Sequence, residues 1–108
     1  MNKIIERLSP LTEASFYILL SLRKPMHGYG IIKAVEEMTN GRLHLAAGTL
    51  YGALQNLQKY ECIELYSFDK ANKKKKEYVI TDSGTKLLNY EIVRLENMIR
   101  HAKGYDMK

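Results

Sequence analysis

Ala46-Ala47-Gly48-Thr49-Leu50-Tyr51-Gly52-Ala53-Leu54-Gln55-Asn56-Leu57 is the stretch on which the fold turns. Leu50, Leu54 and Leu57 recur at helical spacing and predict a helix from about Ala47 to Tyr60 that buries one stripe. Its other face opens on two glycines and a threonine, then carries Tyr51, Gln55, Asn56 and Lys59. That face holds no acid. A small-residue helix start close to a lysine run suits a surface laid against a polyanion, with DNA the foremost candidate.

Upstream, Ile4, Ile5 and Leu8 suit a short helix that Ser9-Pro10 interrupts. Thr12 and Glu13 open a stronger helix, with Thr12 able to accept a bond from a free amide and Glu13 matched to the positive helix end. Ala14, Ile18 and Leu22 form its stripe, Leu19 widens it, and Lys24-Pro25 ends it. His27-Gly28-Tyr29-Gly30 leads into a second helix whose inner face is Ile31, Ala34, Val35 and Met38. Lys33, Glu36 and Glu37 face water, and Asn40-Gly41 closes the helix. Arg42 to Leu45 alternates and reads as a short extended piece.

Downstream the period changes to two. Ile63, Leu65 and Ser67 point one way, Glu64, Tyr66 and Phe68 the other. Asp69 to Asn72 supplies turn chemistry, and Lys76 to Ile80 alternates again, giving a β-hairpin with a basic tip. Thr81 caps a last helix that reaches roughly Lys103. Three helices, a hairpin and a helix define the expected fold class: mainly α with a small β-hairpin (α+β), a winged helix-turn-helix followed by a C-terminal dimerisation helix. Residues 1–80 are expected to form the winged unit and 81–108 the dimerisation helix, in one continuous structural unit.

The chain has 108 residues, with 17 Lys and Arg against 12 Asp and Glu, a net charge of +5. That length fits one domain with a small core, which a second copy would help to stabilise. Five lysines and no acid lie between Lys70 and Lys76, and this unevenness points to a polyanion more strongly than the net charge does. Taken alone, the run is equally well a solvated loop. Cys62 is the single cysteine, so no intramolecular disulfide forms, which suits a reducing compartment, and it reads as a small core residue. The longest apolar run, Phe16 to Leu20, is far too short to cross a bilayer, and the N-terminus does not resemble a signal peptide. A cytoplasmic location, with no membrane partner, is expected.

The third helix is the expected reader of the major groove. Gly48 and Gly52 leave room for backbone to approach phosphate, and a helix that only packed would be more stable with alanine there by about 0.5–1 kcal/mol. Thr49 and Tyr51 can bond phosphate, and Gln55 or Asn56 can read a base edge. Lys73, Lys74 and Lys75 are the wing residues expected to grip the backbone. Leu88, Ile92, Leu95, Ile99 and Ala102 follow a 4-3-4-3 seam. The seam would pair with a second copy, alongside Ile4, Ile5 and Leu8, or would pack on its own domain. A three-helix core that is complete without this helix favours the dimer. Phe16, Tyr17 and Tyr90 line a small-molecule effector cavity or else belong to the core. His27, His44, Cys62 and His101 share no metal-ligand spacing, no phosphate loop or nucleophile motif is present, and neither cofactor nor catalysis is expected.

Three passages carry a family resemblance. Leu11-Thr12-Glu13-Ala14 running to Leu20, Pro25-Met26-His27-Gly28-Tyr29-Gly30, and Gly48-Thr49-Leu50-Tyr51 resemble the PadR family of transcriptional regulators. Tyr78 to Gly84 is similar to that family's wing and the start of its last helix. The resemblance spans about Leu11 to Leu95. It implies a homodimeric winged-helix repressor reading a pseudo-palindromic operator, often for detoxification, efflux or stress genes. It also implies that Gly-Thr-Leu-Tyr opens the recognition helix and that the tyrosine of His-Gly-Tyr lies near the DNA backbone. Those roles fall on Thr49, Tyr51 and Tyr29, with Lys33 one turn beyond. Two departures stand out. Gly52 occupies a position where the family commonly has proline, and the chain has no tryptophan, on which some relatives sandwich flat drugs. The competing expectation is a winged-helix protein-interaction module that binds no operator.

Overall fold

The computed structural model describes residues 2–68 and 75–104. In chain order these form α1 (Asn2–Leu8), α2 (Glu13–Ser21), β1 (Met26–His27), α3 (Gly28–Met38), α4 (Ala47–Lys59), β2 (Ile63–Phe68), β3 (Lys76–Ile80) and α5 (Asp82–Ala102). The fold is mostly helical with a small antiparallel sheet. That sheet has three strands, ordered β1-β3-β2, so the expected hairpin gains a strand immediately before α3. Met26 pairs with Tyr78 and His27 with Glu77.

The helix starts follow from local chemistry. Thr12 Oγ1 accepts from the Ser15 amide at 3.0 Å and Thr81 Oγ1 from the Gly84 amide at 3.1 Å. His27 caps α3 in the same way, its Nδ1 accepting from the Gly30 amide at 3.3 Å. At the far end of α3, Asn40 and Gly41 both take left-handed φ, 52° and 78°. The Gly41 amide reaches back to Glu36 O at 2.8 Å and that of Asn40 to Glu37 O at 3.2 Å, which together close the helix carbonyls.

One core joins the elements from α2 to α5. Ile18, Leu19 and Leu22 meet Ile31, Val35, Leu50, Leu54 and Leu57, and Cys62, Ile63, Leu87 and Leu88 complete it. Each large aliphatic side chain among them, fully buried, is worth about 1.5–3 kcal/mol relative to exposure. The first half of α5 is therefore part of the core, which is not complete with three helices alone. Its entrance is tight: the Thr81 amide bonds Cys62 O at 3.0 Å, and Thr81 Oγ1 donates to Glu61 O at 2.6 Å.

Three local expectations are corrected. Met38 is 42% exposed, because the last turn of α3 flanks an open cavity beside Leu20 and Ser21 of α2 instead of packing into the core. Residues 42–45 form no strand; Leu45 is instead a buried plug ahead of α4. The β2 alternation breaks between Leu65 and Ser67, where Leu65 pairs with Tyr78 and Ser67 with Glu77, leaving Tyr66 as the extra residue of a bulge. Among the described residues no helix is long and apolar enough to cross a membrane, and no His/Cys/Asp/Glu group could hold a metal ion.

Candidate nucleic-acid interface

The leucine stripe of α4 is sealed, with Leu50, Leu54 and Leu57 at most 2% exposed. Burying that stripe turns Gly48, Thr49, Tyr51, Gly52, Gln55, Asn56 and Lys59 outward, and all seven are exposed. A Cβ at Gly48 or at Gly52 would meet nothing within 4 Å, so nothing in this chain's packing requires glycine at either position.

The start of α4 differs from those of α2, α3 and α5. Its cap residue is Ala46, in extended conformation, and no side chain bonds the first-turn amides. Those donors and the positive end of the helix dipole lie at the same end of the helix as Thr49, an arrangement that favours an anion. No acid lies in the first turn of α4 to oppose it.

Tyr51 connects this helix to α3. A Cβ on Gly28 would lie 2.8 Å from Tyr51 Oη, so the phenol rests against the start of α3. Tyr29 follows at once, 65% exposed, with Lys33 Nζ 5.5 Å from its ring centroid. Lys59 Nζ stands in the same relation to Tyr60, also at 5.5 Å. Burial pushes the Tyr78 hydroxyl above its ordinary range, and negative charge on nearby Tyr51 acts in the same direction. Tyr51 thus lies between the start of α3 and Tyr78 of the wing. Helical spacing gives Tyr51 only an outward role; the signal for its contact with α3 is the glycine at position 28, whose gap Tyr51 fills.

Of the three wing lysines expected to grip DNA, Lys73 and Lys74 lie outside the described residues, and Lys75 is exposed immediately before β3. Ser67 Oγ donates to Glu77 Oε1 at 2.5 Å across the two strands.

The residues expected at a dimer contact divide along α5. Leu88 is 3% exposed and Leu8 is 8% exposed, both within this chain's own core, so neither is free to meet a partner. Ile4, Ile5, Ile92 and Leu95 are half-buried, and Ile99 is 54% exposed. The seam begins inside the domain and ends outside it, where Val93 and Met98, which fall off the 4-3-4-3 spacing, add apolar surface.

Of the three residues expected around an effector cavity, two are brought together. Phe16 and Tyr17, in edge-to-face contact with centroids 5.9 Å apart, line a cavity of about 330 Å³ between α2 and α5. Tyr90 is exposed and does not line it: the helix turns Glu91, Arg94 and Leu95 toward the cavity instead. Glu91, in contrast, is fully buried. Ser9 Oγ and the Leu11 amide donate to it at 2.6 Å, Arg94 Nε at 2.9 Å and Arg94 Nη2 at 3.0 Å. Burial alone would raise its pKa, but these bonds outweigh that and hold the carboxyl below the ordinary range.

Known proteins share this arrangement. The profile of the transcriptional regulator PadR-like family matches residues 17–90. An uncharacterized protein of Lysinibacillus sphaericus is 36% identical over 81 residues, spanning 74% of this chain and 73% of that protein. A PadR family transcriptional regulator from Eggerthella lenta superposes with a TM-score of 0.75 at 19% identity, over 99% of this chain and 92% of its own. Bacillus subtilis PadR, solved in complex with operator DNA, superposes with a TM-score of 0.67 at 25% identity, over 79% of this chain and 49% of its own. The family match covers the helix-turn-helix, the described part of the wing and the first half of α5, and the chain therefore belongs to the PadR-like family of transcriptional regulators.

Proposed function

We propose that the chain acts as a homodimeric repressor that reads a pseudo-palindromic operator, with α4 in the major groove and the lysine wing on the flanking phosphates. The carrying observation is the outer face of α4: an uncapped helix start, two glycines with open space above them, and Thr49, Tyr51, Gln55 and Asn56 all exposed. Thr49, Tyr51 and Tyr29 would bond phosphate, Lys33 and Lys59 would add charge, and Gln55 and Asn56 would read base edges, typically adenine. Lys73, Lys74 and Lys75 would set much of the affinity. The relative crystallised with operator DNA supports this docking. The dimer contact would rest on the second half of α5, with Ile92, Leu95 and Ile99 joined by Val93 and Met98, and on Ile4 and Ile5 of α1. The cavity walled by Phe16 and Tyr17 is where a small-molecule effector would fit. Such a regulator would work in the cytoplasm, beside the DNA it reads.

The test is a titration on duplex from the protein's own promoter at several salt concentrations, against a scrambled duplex of equal length. Preference for the promoter is expected, with log K falling linearly against log salt. Substituting Lys73, Lys74 and Lys75 by alanine should make that slope shallower by about 0.9 for each phosphate left without its lysine. Equal, salt-insensitive affinity for both duplexes would sink the proposal.

A further inference from the structure

We infer that Glu91 is a positioning residue: it pins the angle at which α5 leaves the winged domain, and so fixes the separation of the two half-sites that a dimer reads. The inference rests on the dimeric DNA-reading role proposed above. Glu91 is the last fully buried residue of α5. Before it, Leu87 and Leu88 are in the core; after it, Ile92, Arg94 and Leu95 are half-buried, and from Glu96 to Ala102 every residue is exposed. The carboxylate therefore sits at the fulcrum.

Its bonds tie α5 to the turn between α1 and α2. Ser9 and Leu11 belong to the turn that joins α1 to α2, 82 and 80 residues away in sequence. Arg94 lies one turn further along α5 and closes the carboxylate from the side of the exposed half. Arg94 Nη1 then reaches Met98 Sδ at 3.2 Å, extending the network toward the exposed end.

Apolar packing would hold α5 against the core equally well, because burial is non-directional. A buried carboxylate is costly unless its oxygens are well bonded, and an apolar residue of similar volume is often no less stable. What the Ser9 and Leu11 bonds add is direction, while Arg94, on the same helix, holds the carboxylate in place to receive them. From Glu91 to Ala102 the helix rises roughly 16 Å, and a swing of about 10° at the pin moves its far end by about 3 Å. That is about the rise of one base pair. A loose pin would let two recognition helices meet DNA at several separations; a fixed one selects a single separation.

The experiment is a selection from duplexes of random sequence by the full chain, with the spacing between enriched half-sites read by sequencing. It is run for wild type, Glu91→Gln, Ser9→Ala and Arg94→Lys, with sedimentation to check oligomeric state and thermal melts to check folding. Wild type should enrich one spacing. Glu91→Gln should enrich the same half-site sequence, stay dimeric, and spread over neighbouring spacings, with single half-site affinity within about threefold. Ser9→Ala should broaden the distribution less, in the same sense. A Glu91→Gln dimer with unchanged narrow spacing overturns the inference. If that variant fails to fold, unchanged spacing in both Ser9→Ala and Arg94→Lys overturns it. Wild type enriching half-sites at variable spacing overturns this inference alone, whereas wild type enriching no sequence overturns the DNA-reading role as well.

Discussion

Gly28 and Tyr51 are fitted to one another: a Cβ on Gly28 would lie 2.8 Å from Tyr51 Oη and 3.3 Å from Tyr51 Cζ. One residue belongs to the His-Gly-Tyr passage and the other to Gly-Thr-Leu-Tyr. The two most distinctive passages of the sequence are therefore halves of a single contact, which sets the second helix of the motif against the third. Gly28 is needed because a phenol occupies the space of its missing side chain, and its φ is not in the left-handed region.

Substituting Gly28→Ala should accordingly act through Tyr51. The phenol end can swing, so the cost in chemical denaturation is expected at the low end of overpacking, about 1 kcal/mol. Operator affinity should fall further than stability does, because Tyr51 and the start of α3 move together. Tyr51→Phe removes the clashing oxygen, so the double variant should recover part of the stability, a non-additivity that a double-mutant cycle measures. Strict additivity would mean that the two residues do not touch in solution.

Gly84 presents the opposite case. A Cβ there would overlap the carbonyl oxygen of Cys62, which is backbone and cannot swing aside. Gly84→Ala should destabilise by about 3 kcal/mol or more, at or above the top of the usual overpacking range, as α5 is pushed off the start of β2. Urea melts of the two alanine variants side by side should show the Gly84 variant well below the Gly28 variant.

How much of this was legible in the sequence depended on whether the signal was periodic. The stripe Leu50, Leu54, Leu57 and the caps Thr12 and Thr81 follow from local spacing, and the helices they define are present with nearly the expected bounds. The strand Met26–His27 was not legible: two residues carry no period, and its existence depends on Tyr78 and Glu77 arriving from the wing. Glu91 was hidden for a related reason. Acids are rarely buried, and the donors that make its burial tolerable come from Ser9 and Leu11 at the other end of the chain. The α5 seam was legible as a repeat, but not where it passes from core to surface, since Leu88 and Ile99 look alike in sequence.

Glu91 also makes stability depend on pH. Its folded pKa is lowered, so its contribution is fully present above the ordinary glutamate value and is lost as pH falls through that value toward the folded one. Glu91→Gln removes both the charge and one acceptor, and should cost about 1.5–3 kcal/mol at neutral pH, as for hydrogen bonds to charged groups. In acid the gap between wild type and variant should narrow. Denaturant midpoints measured at neutral pH and at pH values below the ordinary glutamate range check this; a gap that widens in acid would contradict it.

Ile99 and Met98 test the dimer contact without disturbing the core. Both are 54% exposed in the single chain, so Ile99→Glu should leave the fold of one chain intact, and Met98→Glu should do so apart from the Arg94 contact that Met98 Sδ makes. Placed in an apolar contact between copies, either charge should shift sedimentation toward monomer. Leu88→Glu is the control that separates the two ends of the seam: it should unfold the chain, because Leu88 is 3% exposed within the core.

Gly48 and Gly52 offer the sharpest separation of stability from function. Open space surrounds both, and both lie in the first turns of α4. Alanine at either position removes backbone freedom from the unfolded chain and meets no neighbour, so each variant should be more stable, by about 0.5–1 kcal/mol. If the glycines exist to let the helix start approach phosphate, the same variants should bind operator more weakly, with the added methyl held off the backbone. Thermal melts and operator titrations on one preparation decide the matter. Higher stability with unchanged affinity would remove close approach as the reason for glycine at these two positions, and with it the strongest sequence argument for how α4 meets DNA.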